Sequence, residues 1–146
     1  MFDLKQTLDA ISSKWKYKLD ELSPGVYRMD VALKIDDDNW RYQFVDLSQI
    51  ADRYFGEPAV LLTSRCGEYS TKVDLYLLLK EAGLNSQSTF TVISDKRENG
   101  STCETIICQA AIPVECITAA LLDKTLYEVA FNADLVEEKY FGGDGN

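Results

Sequence analysis

Three groups of residues carry side chains able to do chemistry: four cysteines, an acid-rich tetrad and a row of aromatics. Cys66, Cys103, Cys108 and Cys116 form no Cys-x-x-Cys pair. Cys103 and Cys108 are an odd number of residues apart, so on one regular strand they face opposite sides of a sheet. A zinc site is disfavoured, and reduced thiols acting as small buried hydrophobes are the expected state in a cytoplasmic setting. Asp36-Asp37-Asp38-Asn39 offers carboxylate oxygens to a hard cation. Arg41, however, stands where the helix-loop-helix calcium pattern needs glycine, and a solvated turn is the plainer reading. Histidine is absent, which removes the commonest general base, the Ser/His and Cys/His nucleophile pairs and imidazole metal sites. No metal, cofactor or catalytic residue is expected. A carboxylate enzyme using Asp or Glu with Tyr or Lys remains open, because such constellations assemble only in the fold.

The aromatics are the most informative group. Trp40, Tyr42 and Phe44 share one face of a strand, with Tyr27 opposite on the neighbouring run. Left open, such a face is a rigid surface that buries an extended peptide or adds one by strand pairing; covered by helices, it is ordinary core. Stacking on single-stranded nucleic acid would also need a basic groove. Fifteen basic against twenty-four acidic residues, a formal charge of −9, disfavour both a nucleic acid and an anionic membrane surface as partner. Arg28, Lys34 and Arg41 occupy the other parity and are expected to be wet. Asp95 to Gly100 mixes both signs at a loop tip, as an exposed hairpin or a partner contact would.

The elements that position these groups follow from hydrophobic spacing. A chain of 146 residues, 46% hydrophobic, fits one domain spanning 1–146. No apolar run reaches signal-peptide or membrane-spanning length, so a soluble cytoplasmic protein is expected. Leu4, Leu8, Ile11, Trp15, Leu19 and Leu22 make one helical stripe over about residues 3–22, capped by Asp3 and stopped by Ser23-Pro24-Gly25. Tyr27 to Ile35 and Trp40 to Phe44 alternate as a β-hairpin around the acid-rich turn. Ser48 to Phe55 reads as a short helical turn ending at Gly56, and Ala59 to Cys66 as a strand covered on both faces.

A second helix over 72–82, capped by Ser70 or Thr71 and stopped at Gly83, is expected deep in the fold. Thr89–Ser94 and Ser101–Ile112 form a hairpin around Asn99-Gly100. Pro113 starts the last helix, whose Leu122, Leu126, Val129, Ala133, Val136 and Tyr140 repeat at four and three. Residues 113–141 would span about 40 Å at 1.5 Å per residue, more than a domain diameter of about 29 Å. Either Asn132 bends the helix or part of it meets a second subunit.

The expected fold is α+β, an antiparallel sheet with helices packed on it in the order α-β-β-β-α-β-β-α. Carried by the stripe Leu4 to Leu22, the hairpins Val26 to Leu47 and Thr89 to Ile112, the middle helix and a closing helix with Tyr127, Phe131, Tyr140 and Phe141, this order resembles the class I type III secretion chaperone fold and the YbjN-like bacterial proteins. The resemblance implies a homodimeric, non-catalytic protein of the bacterial cytosol, chaperone-like or regulatory, that binds a protein or peptide. It carries over no functional residue one by one.

The partner-binding residues expected from the aromatic spacing are Trp40, Tyr42, Phe44 and Tyr27. The dimer interface is expected at Trp15, Leu126, Val129, Val136 and Tyr140, on apolar stripes that a small sheet leaves uncovered. A small-ligand or cation-sensing regulatory protein is the alternative function.

Overall fold

The computed structural model describes residues 1–82 and 86–142. The chain runs through α1 (Leu4–Trp15), β1 (Lys18–Ser23), β2 (Val26–Lys34), β3 (Trp40–Tyr54), β4 (Glu57–Glu68), α2 (Leu75–Glu81), β5 (Thr89–Lys96), β6 (Thr102–Pro113), a short 3-10 turn (Val114–Cys116) and α3 (Ala119–Phe141). The architecture is α+β, with one antiparallel sheet in the order β1-β2-β3-β4-β6-β5. Helices α1 and α3 pack on one face of that sheet. Among the described residues, no helix is long and apolar enough to cross a membrane.

The first helix is shorter than its apolar spacing predicts. Asp3 caps it, accepting from the Gln6 N–H at 3.0 Å. It stops at Trp15 because Lys16 takes left-handed backbone, φ 60° and ψ 36°, with its N–H returning to the Ser12 carbonyl. Leu19 and Leu22 then belong to β1, which adds a fourth strand before α2. Residues 17–20 alternate apolar and charged as well as they continue a helical stripe, and pairing with β2 (Leu19↔Met29, Asp20↔Arg28) satisfies backbone groups on both strands.

Ser48 to Phe55 is strand rather than helical turn. It extends β3 along β4 to a two-residue hairpin at Phe55 and Gly56, both at positive φ, which closes Tyr54 against Glu57. The second helix is capped by Asp74, not by Ser70 or Thr71, and it lies at the surface: Leu78 is buried while Tyr76, Leu77 and Leu79 are exposed. Its expected stop, Gly83, lies outside the described residues. Pro113 ends β6 in extended backbone (ψ 135°) instead of starting a helix, and Thr118 is the N-cap of α3. The last helix is thus 23 residues, about 35 Å. Asn132 sits within it and donates to the Ser88 hydroxyl at 3.0 Å.

One core lies between the helices and the sheet. Leu4, Leu8 and Ile11 of α1 and Leu122, Leu126, Val129 and Ala133 of α3 meet Met29, Val31, Val45, Leu47, Val60, Leu62 and Ile106 from the strands. Each large aliphatic side chain buried there contributes about 1.5–3 kcal/mol relative to exposure.

Candidate interaction surface

Strand parity sorts the suspected residues onto two faces. Tyr27, Met29, Val31 and Leu33 of β2 point with Arg41, Gln43, Val45 and Leu47 of β3 toward the helices. Trp40, Tyr42 and Phe44 stand on the opposite, uncovered face, 51%, 59% and 55% exposed. The structure therefore brings the three β3 aromatics together in one row and places Tyr27 in the core beneath them, against the expectation that all four form one surface. Arg41 is likewise not wet. It points inward to Asp134 of α3, while Arg28 lies on the open face beside Asp46, with Nε 2.7 Å from Oδ1.

The sheet opens beside this row. Strands β3 and β4 pair from Ile50↔Ala59 to Asp46↔Thr63, and among the described residues the ladder goes no further toward Trp40. Beyond that point side chains bridge the two strands. Gln43 Nε2 donates to Ser64 Oγ and to the Arg65 carbonyl, both at 2.9 Å, and Ser64 Oγ donates to the Phe44 carbonyl at 2.7 Å. Amide and hydroxyl thus take over from the missing backbone pairs, which keeps the strands splayed at a fixed width.

The splay leaves a cleft of about 620 Å³ on the open face. Tyr42 and Phe44 wall one side, Ile93, Thr105 and Ile107 the other, and Gln43 and Glu137 lie at its base. Arg28, Asp46, Arg65 and Asp95 bring both signs of charge to its rim. The Arg28 guanidinium also lies 5.2 Å from the Phe44 ring centroid, a cation–π distance that fixes the ring. The hydrogen bond to Asp46 raises its pKa further, so it is a permanent cation there. Asp30, directly across the ladder from Phe44, has its carboxyl pushed above the ordinary value of 3.8 by burial, against the opposing charge of Lys18 and with a smaller push from Asp20.

The cleft offers apolar ring faces, two guanidinium groups, carboxylates and amide donors and acceptors, a set suited to holding a chain with mixed side chains. No cysteine lines the cleft among the described residues. Cys66 and Cys108 are buried on the helix side, where loss of hydration raises both pKa values, that of Cys108 to about 12. Cys103 stands on the cleft's face of β6, paired across the ladder with Asp95, its Sγ 3.8 Å from Thr105 Oγ1 of the far wall.

The Asp36 carboxylate is engaged by its own turn, accepting from the Asp38 N–H at 3.0 Å and from Asn39 Nδ2 at 2.9 and 2.7 Å. Those bonds lower its pKa. Among the described residues, no three His, Cys, Asp or Glu side chains are grouped closely enough to hold a metal ion.

The expected dimer stripe on α3 is turned inward. Leu126 and Val129 are fully buried and Val136 nearly so, because this stripe seals α3 onto the sheet of the same chain. Tyr140 is half-buried against the same core. Trp15, in contrast, is half exposed, stacked near Tyr17 and donating from Nε1 to Asp123.

Sequence reasoning missed Ile93, Thr105 and Ile107 of the far wall, Glu137 at the base and Arg65 on the rim. The one local signal was the change from the apolar run Val60 to Leu62 to the polar Thr63-Ser64-Arg65, where β4 leaves β3. No family model matches the chain, and no curated protein matches it.

Proposed function

We propose that this chain is a non-catalytic interaction protein, chaperone-like or regulatory, acting as a dimer, that holds an extended segment of another polypeptide on the open face of its sheet. One observation carries the reading: three aromatic side chains of a single strand, Trp40, Tyr42 and Phe44, stand half exposed in a row on a face that the helices leave bare, beside a cleft with apolar walls and a charged rim. Large exposed apolar patches rimmed by polar groups are costly in a free monomer and mark binding sites. Aromatics on a rigid strand lose little conformational freedom when covered, which makes them effective anchors. The resemblance in element order is to proteins that hold partner polypeptide, and it supports the same reading.

The test uses the full chain with Trp15→Phe, which leaves Trp40 as the fluorescent reporter, titrated with a library of extended peptides rich in apolar and mixed-charge side chains. Peptides that bind shift the Trp40 emission to the blue. Tyr42→Ala or Phe44→Ala then weakens binding by about 30-fold or more, the loss on truncating an anchor worth about 2 kcal/mol. Binding that ignores both truncations, or a library without a binder, overturns the assignment of this face.

The cleft volume favours a second reading, a small-ligand regulator, since about 620 Å³ lies within the ordinary range for small-molecule sites. A metabolite that binds the folded state raises the melting temperature by mass action, about 2.7 kcal/mol of stabilisation at a hundredfold excess over Kd. A screen in which one compound does this, and Arg28→Ala abolishes it, favours this reading over the first.

A further inference from the structure

We infer that a second copy of this chain packs on the outward row of α3, antiparallel, with the two-fold axis passing between the two Phe131 side chains. The inference deepens the dimeric part of the proposed function and concerns the helical layer, away from the open sheet face.

The outward row is Lys124, Tyr127, Phe131, Leu135 and Glu138, every one exposed and spaced three or four residues apart, so they lie along one side of the helix. It is a second apolar stripe, distinct from the buried one that seals α3 to the sheet. Its order is self-complementary. Tyr127 stands four residues before Phe131 and Leu135 four after, while Lys124 stands seven before and Glu138 seven after.

Two copies related by a two-fold axis at Phe131 therefore set Phe131 on Phe131, Tyr127 on Leu135 and Lys124 on Glu138, each pair formed twice. An isologous interface requires this property, that the surface match itself after a half turn. Antiparallel helices packed about 8–10 Å apart at a crossing angle near 20° keep positions one heptad from the axis within contact. Lys124 and Glu138 make no ion pair within the chain among the described residues, so both are available to a partner.

The ground beside the row fits the same occupant. Trp15 and Tyr17 border a hollow of about 550 Å³ next to Lys124, Tyr127 and Phe131, where the partner's Leu135 end would lie. Near Leu135 and Glu138 a second hollow of about 380 Å³ opens between α3 and α2, on the side that receives the partner's Tyr127 end. These hollows extend a single-helix seam toward the area a stable dimer needs. The Lys124–Glu138 pairs supply orientation and register more than affinity.

The experiment is the solution mass of the full chain by light scattering across a concentration series, with circular dichroism to confirm folding. The wild type is expected at twice the chain mass and Phe131→Glu at the monomer mass with an unchanged spectrum. Lys124→Glu alone or Glu138→Lys alone puts like charges across both ends and raises the dimer dissociation constant at least tenfold. The double variant, and an equimolar mixture of the two single variants, restore opposite charges at both ends and recover the dimer. A wild type that is monomeric throughout overturns the inference, as does a dimer unaffected by Phe131→Glu, or a double variant no tighter than the singles. Peptide binding at Trp40 is a separate readout, so failure of one assignment does not mimic failure of the other.

Discussion

Arg41 and Asp134, 93 residues apart in the chain, meet in a two-pronged ion pair that ties β3 to α3: Nε lies 3.0 Å from both carboxylate oxygens and Nη2 lies 2.6 Å from Oδ2. The Asp134 side chain is 2% exposed, so the guanidinium replaces the water that it has lost. Arg41→Met is expected to cost about 3–5 kcal/mol by stranding the buried Asp134 carboxylate, and the double variant Arg41→Met with Asp134→Leu to cost less than that. Urea denaturation of the two variants checks this. Arg41→Met within about 1 kcal/mol of wild type would remove the pair from the account of how α3 is held.

Gly67 and Phe141 are fitted to each other. A Cβ built at Gly67 would lie 2.6–2.7 Å from the Phe141 ring atoms, and the residue follows a register irregularity in β4 after Arg65. Gly67→Ala is expected to destabilise the fold by about 1–3 kcal/mol through overpacking. Adding Phe141→Leu recovers part of that loss by making room, which thermal unfolding of the single and double variants reads.

Asp30 gives the chain a pH dependence whose sign is fixed by burial. One of its carboxylate oxygens is buried without a hydrogen-bond partner among the described residues, and its folded pKa is raised above 3.8. Below 3.8 the carboxyl is protonated both folded and unfolded and contributes no penalty. As pH rises through the folded pKa the unfolded chain releases the proton more readily, and stability falls. Asp30→Asn is therefore expected to stabilise the protein at pH 7 and to have no such benefit at pH 3, measured by denaturant midpoints at the two values.

Phe55 is 93% exposed and occupies left-handed backbone, φ 52°, at the β3–β4 turn. For an L residue that conformation costs about 1–2 kcal/mol, which glycine avoids and asparagine reduces. Phe55→Asn is expected to raise stability by about 1 kcal/mol, read from the melting temperature. No gain would mean that the packing of Phe55 on Tyr54, ring centroids 5.0 Å apart, offsets the strain.

What the chain's spacing determined unaided is whatever depends on neighbours a few residues away. The period-two alternation from Tyr27 to Phe44 settled the hairpin and put Trp40, Tyr42 and Phe44 on one face. The Asp3 cap, the turn before Gly100 and the apolar stripe through Leu122, Leu126 and Val129 followed from equally local chemistry, though that this stripe is sealed inside its own chain did not.

Tertiary structure decided everything that needed two distant segments at once. Residues 17–20 satisfy a helical and a strand period together, and only the unpaired edge of β2 chose between them. Which face of the sheet the helices cover, and hence that Tyr27 is core while Trp40 is not, depends on where α1 and α3 come to rest. The cleft beside Phe44 exists because β4 leaves β3 after Thr63 to stay with β6, a competition for hydrogen-bond partners between strands some fifty residues apart that no local window registers.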